Sequence, residues 1–285
     1  MLDSSMTDHV ILANNLDVLA EIKDQSVQLV YIDPPFNTGK VQKRETIKTV
    51  RSESGSRVGF KGNSYDSIRQ NSTSYNDSFA DYWEFLKPRL EEAYRILKPS
   101  GTLYLHLDYR EVHYAKVFLD GIFGRENFVN EIIWAYDYGA RSTKRWPAKH
   151  DNILVYGKTA DYFFNSSEVD REPYMAPGLV TPEKAAKGKL PTDVWWHTIV
   201  SPTGKEKTGY VTQKPEGILR RIIMASSKPG DLVVDFFAGS GTTGAVAKKL
   251  DRKFILVDEN PQAVDVIMSR LDKIESVRQT VLTKK

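Results

Sequence analysis

The sequence predicts an α/β protein with a doubly wound, mostly parallel sheet and an irregular insert. Short runs of apolar and β-branched residues alternate with stretches in which apolar residues recur at helical spacing, as expected for such a sheet. Two of the runs end abruptly, Val27 to Ile32 at two prolines and Leu232 to Asp235 at a glycine-rich turn. With 285 residues, 40% of them hydrophobic, the chain can bury the core of one large domain.

The predicted elements follow in chain order and are bounded by helix-breaking residues. Lys98-Pro99-Ser100-Gly101 ends one helix, and Pro229-Gly230 turns the chain into the strand that ends at Asp235. The last two strands before residue 160 are expected at the far side of the sheet. The predicted strands cover residues 10–13, 27–32, 102–107, 129–136, 153–158, 232–235 and 253–257, and the predicted helices cover residues 17–23, 79–97, 109–122 and 213–226, with another helix beginning after Gly241.

Two stretches interrupt the alternation of strands and helices. Residues 40–72 are polar and rich in Ser and Asn, with eight Lys or Arg against three acids, and predict a long, mobile basic loop. The alternative is a solvated insertion without a role. Residues 137–210 contain six prolines and many aromatic residues, and no helix is predicted there.

A cluster of basic residues lies at the start of the second stretch. Its members are Arg141, Lys144, Arg145 and Lys149, which surround Trp146 without any acidic residue between them. Basic side chains neutralise phosphates while aromatic residues reach bases, so the cluster predicts contact with nucleic acid. A solvated loop is the alternative.

The composition excludes several classes of function. The chain has no cysteine, which excludes disulfides and thiolate chemistry, and its five histidines form no close ligand pair, so no metal site is expected. No run of about 18 apolar residues is present, and the first residues do not resemble a signal peptide. We therefore expect a cytoplasmic protein with no membrane partner.

The first candidate site is Asp33-Pro34-Pro35-Phe36, at the end of a predicted buried strand. A residue before proline is held in extended conformation and proline lacks a backbone donor, so this turn offers one carboxylate and a free carbonyl beside an aromatic ring. These groups suit a planar ligand with an NH₂ group, such as a nucleobase, whose ring stacks on Phe36. A strand-ending turn without a catalytic role is the alternative.

The second candidate site runs from Asp235 to Gly244 and contains a glycine-rich turn. Gly239 and Gly241 allow close approach of a ligand, and the helix that follows favours an anionic group. No lysine stands where a Walker loop requires it, but the spacing of Gly239, Gly241 and Gly244 fits a dinucleotide site. Asp258, or else Glu259, ends the next strand and can hold ribose hydroxyls. A nicotinamide cofactor therefore remains open on these residues alone.

Taken together, these motifs resemble those of amino-group DNA methyltransferases that use S-adenosylmethionine. Asp33 to Phe36 resembles the DPPY/DPPF catalytic motif, and Phe237 to Gly241 resembles the FxGxG motif. Thr212-Gln213-Lys214-Pro215 resembles the motif that precedes the glycine-rich turn, and the order of motifs is that of the permuted β group. The likeness covers residues 10–135 and 209–275 and implies a Rossmann-like methyltransferase fold.

The resemblance also implies roles for these residues. Asp33 and Pro34 would orient the target amine, with Pro35 in the same catalytic turn, and Phe36 would stack on a base flipped from duplex DNA. Ribose hydroxyls would bind to Asp258 or Glu259. The methionine end of the cofactor would be held by Thr212, Gln213, Lys214, Asp235, Phe236, Phe237, Ala238, Gly239, Ser240, Gly241 and Thr242.

The resemblance divides the chain into three parts and implies a reaction. Residues 1–136 would form the catalytic half, 137–210 the target-recognition region and 211–285 the cofactor-binding half. The implied activity is direct methyl transfer to the exocyclic amine of adenine in DNA, because cytosine enzymes of this group more often carry Ser in place of Asp33. The alternatives are a cytosine-N4 methyltransferase, a nicotinamide-dependent oxidoreductase and a non-catalytic DNA-binding relic. A homodimer and a cognate restriction endonuclease are the possible protein partners.

Overall fold

The computed structural model describes residues 8–51, 57–58, 64–77, 81–139, 141–201, 204–210, 212–271 and 278–281, with the backbone alone in 40–77 and 278–281. Residues 37–80 form one compact unit, and the rest of the chain forms another. No helix among the described residues is both long and apolar enough to cross a membrane.

The larger unit contains nine strands and seven helices within the described ranges. With the three strands of the smaller unit included, the strands are β1 His9–Leu12, β2 Val27–Ile32, β3 Lys40–Arg51, β4 Arg57–Val58, β5 Ser64–Asp77, β6 Leu97–Leu107, β7 Phe128–Ala135, β8 His150–Gly157, β9 Val194–Trp196, β10 Leu232–Asp235, β11 Lys253–Asp258 and β12 Arg278–Val281. The helices are α1 Asn15–Leu19, α2 Tyr82–Ile96, α3 Val112–Phe123, α4 Pro182–Lys187, α5 Glu216–Ser226, α6 Thr242–Lys249 and α7 Pro261–Leu271.

The sheet of the larger unit has the order β12-β1-β11-β10-β2-β6-β8-β7-β9. Every neighbouring pair from β12 to β6 is parallel, whereas β8 runs antiparallel to both β6 and β7. The predicted doubly wound, mostly parallel fold is therefore confirmed. Strands β10 and β2 are direct neighbours, with Val233 opposite Leu29 and Val234 opposite Val30, so their carboxyl ends open at the same edge of the sheet.

Helices cover both faces of this sheet, which is why its central strands β2 and β10 are buried at every residue. Leu29 and Tyr31 on one face of β2 belong to a buried cluster that includes Ile218 and Ile222 of α5. On the other side, α1, α2 and α3 contact one another in sequence, and α2 and α3 contact β6 and β8. Since helices cover both faces, β2 is buried along its whole length, and all of its residues except Gln28 are apolar or aromatic.

The smaller unit is a three-stranded antiparallel sheet of order β3-β5-β4. The prediction of a long loop over residues 40–72 is therefore wrong about the backbone. Two long antiparallel strands satisfy their backbone hydrogen bonds with each other without needing an apolar run, and β3 contains enough β-branched residues to favour this conformation. We expect the basic side chains of residues 40–72 to contact DNA phosphates, but these side chains lie outside the described residues.

Apart from β8, the stretch 137–210 is mostly irregular, as predicted, but besides a 3-10 turn at Pro177–Leu179 it contains two short elements that were not predicted. Helix α4 begins after Thr181, whose side chain accepts a hydrogen bond from the amide of Lys184, with Pro182 in the first turn. Strand β9 adds to the edge of the main sheet by pairing in parallel with β7. Six and three residues long, these elements are too short to give a periodic signal.

Candidate active site

The two predicted turns lie side by side at the carboxyl edge of the sheet. Asp33 follows β2 and the glycine-rich turn follows its neighbour β10. The segment before α5 joins them, because the Nζ atom of Lys214 contacts Oδ2 of Asp33 and the carbonyl of Lys214 accepts a hydrogen bond from Thr242 Oγ1 at 3.1 Å. Three segments that are far apart in sequence therefore meet at one place.

The Asp33 carboxylate is only partly paired. Its side chain is 17% exposed, and its Oδ2 atom forms the contact with Lys214. Its Oδ1 atom is buried and has no hydrogen-bond partner among the described residues. Pro34 is buried, whereas Pro35 and Phe36 are partly exposed. The turn thus holds one carboxylate oxygen free to accept a hydrogen bond beside an accessible aromatic ring.

A buried polar network supports Phe36 from below. The Phe36 ring lies 6.0 Å from the ring of His106, measured between centroids. His106 is fully buried; its Nδ1 lies 2.9 Å from the hydroxyl of Tyr31, and its Nε2 lies 3.2 Å from Oδ2 of Asp151. The hydroxyl of Tyr136 donates to the other oxygen of Asp151 at 3.0 Å. Sequence reasoning missed this network, although a histidine inside the apolar run of β6 was a signal that it existed.

The network holds Asp151 as a carboxylate. Burial alone would raise the pKa of Asp151, but its hydrogen bond with His106 and the nearby charges of His106 and Lys214 outweigh burial and lower it. Burial also raises the pKa of Tyr31 well above its usual value, so this hydroxyl keeps its proton. Because the Asp151 carboxylate can only accept, Nε2 of His106 donates to it, as the hydroxyl of Tyr136 does.

Asp235 organises the glycine-rich turn from inside. It is buried, and its carboxylate accepts hydrogen bonds from the hydroxyl of Thr243 at 2.6 Å and from the amide of Phe237 at 3.0 Å. Burial raises the pKa of Asp235 to about 7, against the effect of these two donors. Both oxygens of Asp235 thus accept hydrogen bonds from the turn and the start of α6, so the role of Asp235 is to hold the conformation of the turn.

The glycines of the turn have two different roles. Gly239 and Gly241 have φ angles of +51° and +70°, which side-chain-bearing residues rarely adopt. Gly244 lies in α6, where an added Cβ would come within 2.5 Å of Leu256 Cδ1 in β11. The third glycine therefore allows α6 to pack closely on the sheet, as in dinucleotide sites.

Asp258 also supports the turn. Its Oδ2 atom accepts a hydrogen bond from the amide of Gly239 at 2.8 Å, and its Oδ1 atom accepts one from Asn260 at 2.9 Å. Burial raises the pKa of Asp258 to about 6. Glu259 beside it is exposed. Each Asp258 oxygen has lone pairs left for a further donor, so either acid can reach a ligand at this strand end.

The other predicted cofactor residues differ in their surroundings. The amide group of Gln213 is engaged with its own loop, since it accepts from the amide and hydroxyl of Thr208 and donates to the carbonyl of Glu206. Thr212 is exposed. The remaining residues, Phe236, Ala238, Ser240 and Thr242, are buried, and Phe237 is partly exposed. Among these side chains, Phe237 and Thr212 are therefore the most accessible.

Two buried polar residues near the turn were not predicted. The side-chain amide of Asn15 donates to the carbonyl of Phe236 at 2.9 Å, and its oxygen accepts from Nε of Arg89 at 2.7 Å. The Arg89 guanidinium lies 3.9 Å from the centre of the Phe85 ring. Burial lowers the pKa of Arg89, and the negative charge of Glu259 opposes that effect. Helix α1 is thereby fixed beside the glycine-rich turn.

The basic cluster is carried by a loop that joins β7 to β8. The amide of Tyr136 donates to the carbonyl of Lys149 at 2.9 Å, and Nζ of Lys149 donates to the carbonyls of Asp137 and Gly139 at 2.9 and 3.2 Å. Lys149 therefore closes the neck of the loop. The side chains beyond the neck, Arg141, Lys144, Arg145 and Trp146, are exposed.

A doubly wound sheet with an Asp-Pro-Pro turn and a glycine-rich turn at neighbouring strand ends defines an amino-group methyltransferase. The chain belongs to the DNA methylase family N6_N4_Mtase, whose model matches residues 27–269. Among the described residues, no group of three or more His, Asp or Glu side chains could hold a metal ion.

Comparisons with individual proteins are consistent with this family. The chain is 31% identical to the type II methyltransferase M.HpaI of Haemophilus parainfluenzae, over 94% of this chain and 75% of the relative. It is also 31% identical to the DNA adenine methyltransferase YhdJ of Escherichia coli (strain K12), over 90% of this chain and 81% of the relative. The crystal structure of the M1.HpyAVI-SAM complex matches with a TM-score of 0.59 at 20% identity, over 93% of this chain and 98% of the other, which confirms the fold.

Proposed function

We propose that the chain transfers the methyl group of S-adenosylmethionine to the exocyclic amine of adenine in duplex DNA. The observation that carries this proposal is the position of Asp33. Its carboxylate stands beside the glycine-rich turn and keeps a buried oxygen without a hydrogen-bond donor among the described residues. An oxygen of this kind suits an amine that arrives with the substrate.

The residues around the glycine-rich turn fit a nucleoside cofactor. The positive φ angles at Gly239 and Gly241 give the turn its shape. The exposed Glu259, and Asp258 with lone pairs left for a further donor, lie where ribose hydroxyls would bind. Phe237 would contact the adenine ring of the cofactor, and Thr212 with Lys214 would face its methionine end. When bound, S-adenosylmethionine supplies an electrophilic methyl group on a sulfonium.

The catalytic turn would prepare the amine for this methyl group. The lone pair of the adenine amine is delocalised into the ring, which makes the nitrogen a weak nucleophile. If Asp33 and the Pro34 carbonyl each accept one N–H, the nitrogen becomes pyramidal and its lone pair points towards the methyl donor. Pro35 keeps the turn rigid, and Phe36 stacks on the flipped base at a gain of about 1–3 kcal/mol.

The choice of adenine over cytosine rests on Asp33 and on one relative. Asp rather than Ser stands first in the catalytic turn, and YhdJ, at 31% identity, is named a DNA adenine methyltransferase. The same hydrogen-bond geometry serves the amine of cytosine, so cytosine-N4 methylation is the second candidate. Mass spectrometry of nucleosides from methylated DNA separates the two products.

The proposal is tested by transfer of a radiolabelled methyl group to mixed-sequence duplex DNA. We expect Asp33→Ala to abolish transfer, while calorimetry still detects binding of S-adenosylmethionine. The matched control is Asp265→Ala, because Asp265 lies on the exposed face of α7. Undiminished transfer by Asp33→Ala would exclude the proposed role of this carboxylate.

The three-part division and the partners remain proposals of the same kind. Residues 137–210 would recognise the target sequence, with Arg141, Lys144 and Arg145 on phosphates. Lys149, engaged at the neck of its loop, would contribute less. A cytoplasmic location, a homodimer and a cognate restriction endonuclease complete the proposal. Light scattering of the purified chain tests the dimer, and restriction resistance of methylated DNA identifies a nuclease with the same target.

A further inference from the structure

The loop between β7 and β8 presents an indole that the fold does not use. Trp146 is 95% exposed and Trp196 of β9 is 74% exposed, whereas Trp134 and Trp195 nearby are at most 7% exposed. A single exposed apolar residue needs no explanation by itself. Trp146, however, follows Arg141, Lys144 and Arg145, and no acidic side chain among the described residues forms a salt bridge with any of these three. An uncompensated positive surface with an aromatic tip matches DNA in charge and in chemistry.

The position of the loop brings this surface to the edge of the sheet that carries the candidate active site. Leu105 of β6 pairs with Ile32, the residue before Asp33, and Leu107 of β6 pairs with Asn152 at the start of β8. The loop therefore enters β8 at the edge where β2 ends. Duplex DNA bound across this edge would meet both the catalytic turn and the loop.

The loop is also fixed with respect to the catalytic turn. Tyr136, at its neck, donates a hydrogen bond to Asp151, which contacts His106, and the ring of His106 lies beneath Phe36. Within the loop, the hydroxyl oxygen of Ser142 accepts hydrogen bonds from the amides of Lys144 and Arg145. A loop backbone held in this way loses little conformational entropy when a side chain that it carries inserts into a ligand.

We infer that Trp146 inserts into the DNA stack next to the target base and occupies space that the flipped base leaves. This inference rests on the proposed function and adds a positioning residue to it. Flipping a base costs a few kcal/mol of stacking and pairing, and proteins that open a duplex offset this cost by inserting an apolar side chain. Trp146 would thus act on the equilibrium between the stacked and the flipped base, and would not contact the reacting atoms.

The test compares Trp146→Ala and Trp146→Phe with the wild-type chain on a duplex that carries the methylated sequence, identified beforehand by sequencing methylated DNA. Single-turnover methyl transfer should fall about 5- to 150-fold in Trp146→Ala, as expected when one aromatic stack is lost. Trp146→Phe keeps a ring and should stay within about threefold of the wild type.

A second duplex separates insertion from a general loss of binding. It carries a mismatch opposite the target base, which lowers the cost of flipping. Trp146→Ala should recover to within about threefold of the wild-type rate on this duplex, because the step that Trp146 assists is then already easy. If Trp146 had only a structural role, Trp146→Ala would show the same loss of the methyl-transfer rate on both duplexes.

The matched control is Val117→Ala. Val117 is 71% exposed on α3, outside the region that would recognise the target sequence. It should transfer methyl groups at the wild-type rate. A normal rate of Trp146→Ala on the paired duplex, or a defect that the mismatch does not relieve, overturns the inference while the proposed function stands. Failure of the wild-type chain to methylate any duplex instead refutes the proposed function.

Discussion

The ammonium of Lys214 contacts the carboxylate of Asp33 across 181 residues of sequence. Both side chains are mostly buried, with 12% and 17% of their surfaces exposed. The ammonium also lies 5.1 Å from the centre of the Phe36 ring. A target amine that hydrogen-bonds to Asp33 must therefore fit beside Lys214 or take its place, so Lys214 belongs to the catalytic turn as much as to the cofactor side.

The first prediction is a strong energetic coupling between these two side chains. In a double-mutant cycle of Asp33→Asn and Lys214→Met, the free energies of unfolding should give a coupling of about 1–3 kcal/mol, because removal of one partner leaves a poorly solvated charge. The control cycle is Lys98→Met with Asp231→Asn, a pair at 3.1 Å that is 32% and 20% exposed. Its coupling should stay below about 1 kcal/mol. Equal couplings in the two cycles would contradict the prediction.

The second prediction concerns Asp235 and pH. Burial raises the pKa of Asp235 to about 7 in the folded chain, above its usual value of 3.8. Between these values the folded state keeps a proton that the unfolded state has lost, so stability falls as the pH rises through this window. The wild-type chain should lose about 2–3 kcal/mol relative to Asp235→Asn between pH 5 and pH 8. Urea unfolding of both proteins at several pH values measures this difference, and parallel pH curves would refute it.

The third prediction distinguishes two glycines in helices. Gly244→Ala should destabilise the chain by about 1–3 kcal/mol, because the new methyl group would meet Leu256 at 2.5 Å. Gly121→Ala in α3 should be neutral or stabilising by up to about 1 kcal/mol, since nothing lies within 4 Å of the new Cβ. Thermal unfolding of both variants checks the sign of each change.

The fourth prediction concerns the network beneath Phe36. Asp151→Ala removes the acceptor for both His106 and Tyr136 and should destabilise the chain by about 2–4 kcal/mol. Methyl transfer should fall as well, because the support of the Phe36 ring is disturbed. Asp151→Asn keeps one carbonyl acceptor, so its losses should be smaller. Denaturant unfolding and single-turnover transfer of the two variants test this order of losses. A larger loss in Asp151→Asn than in Asp151→Ala would contradict the prediction.

The sequence was sufficient to predict the fold class and the position of both turns. Strand ends such as Ile32 and Asp235 are marked locally by proline and glycine, and parallel neighbours bring their ends to one edge. Helix α5 begins at Glu216, after Pro215, whereas the prediction began it at 213. The difference arises because residues just before a proline avoid the helical conformation.

Pairwise contacts between distant residues could not be predicted in the same way. Nothing local indicates that Lys214 reaches Asp33 or that His106 connects Tyr31 with Asp151. These contacts depend on the order of strands and on rotamers chosen by packing. The strands of residues 40–77 were missed for a related reason, because backbone pairing leaves no apolar pattern when both strands are polar.

In the main sheet, β11 and β10 lie between β1 and β2, although the chain reaches them only near its end. During synthesis on the ribosome, β1 is made long before its neighbours β11 and β12. Until β10 is made, β2 has only β6 to pair with. The middle of the sheet can close only after residue 258 has left the exit tunnel, because β10 and β11 must insert between β2 and β1. Fragments that stop before β10 should expose apolar strand edges and depend on chaperones to stay out of aggregates.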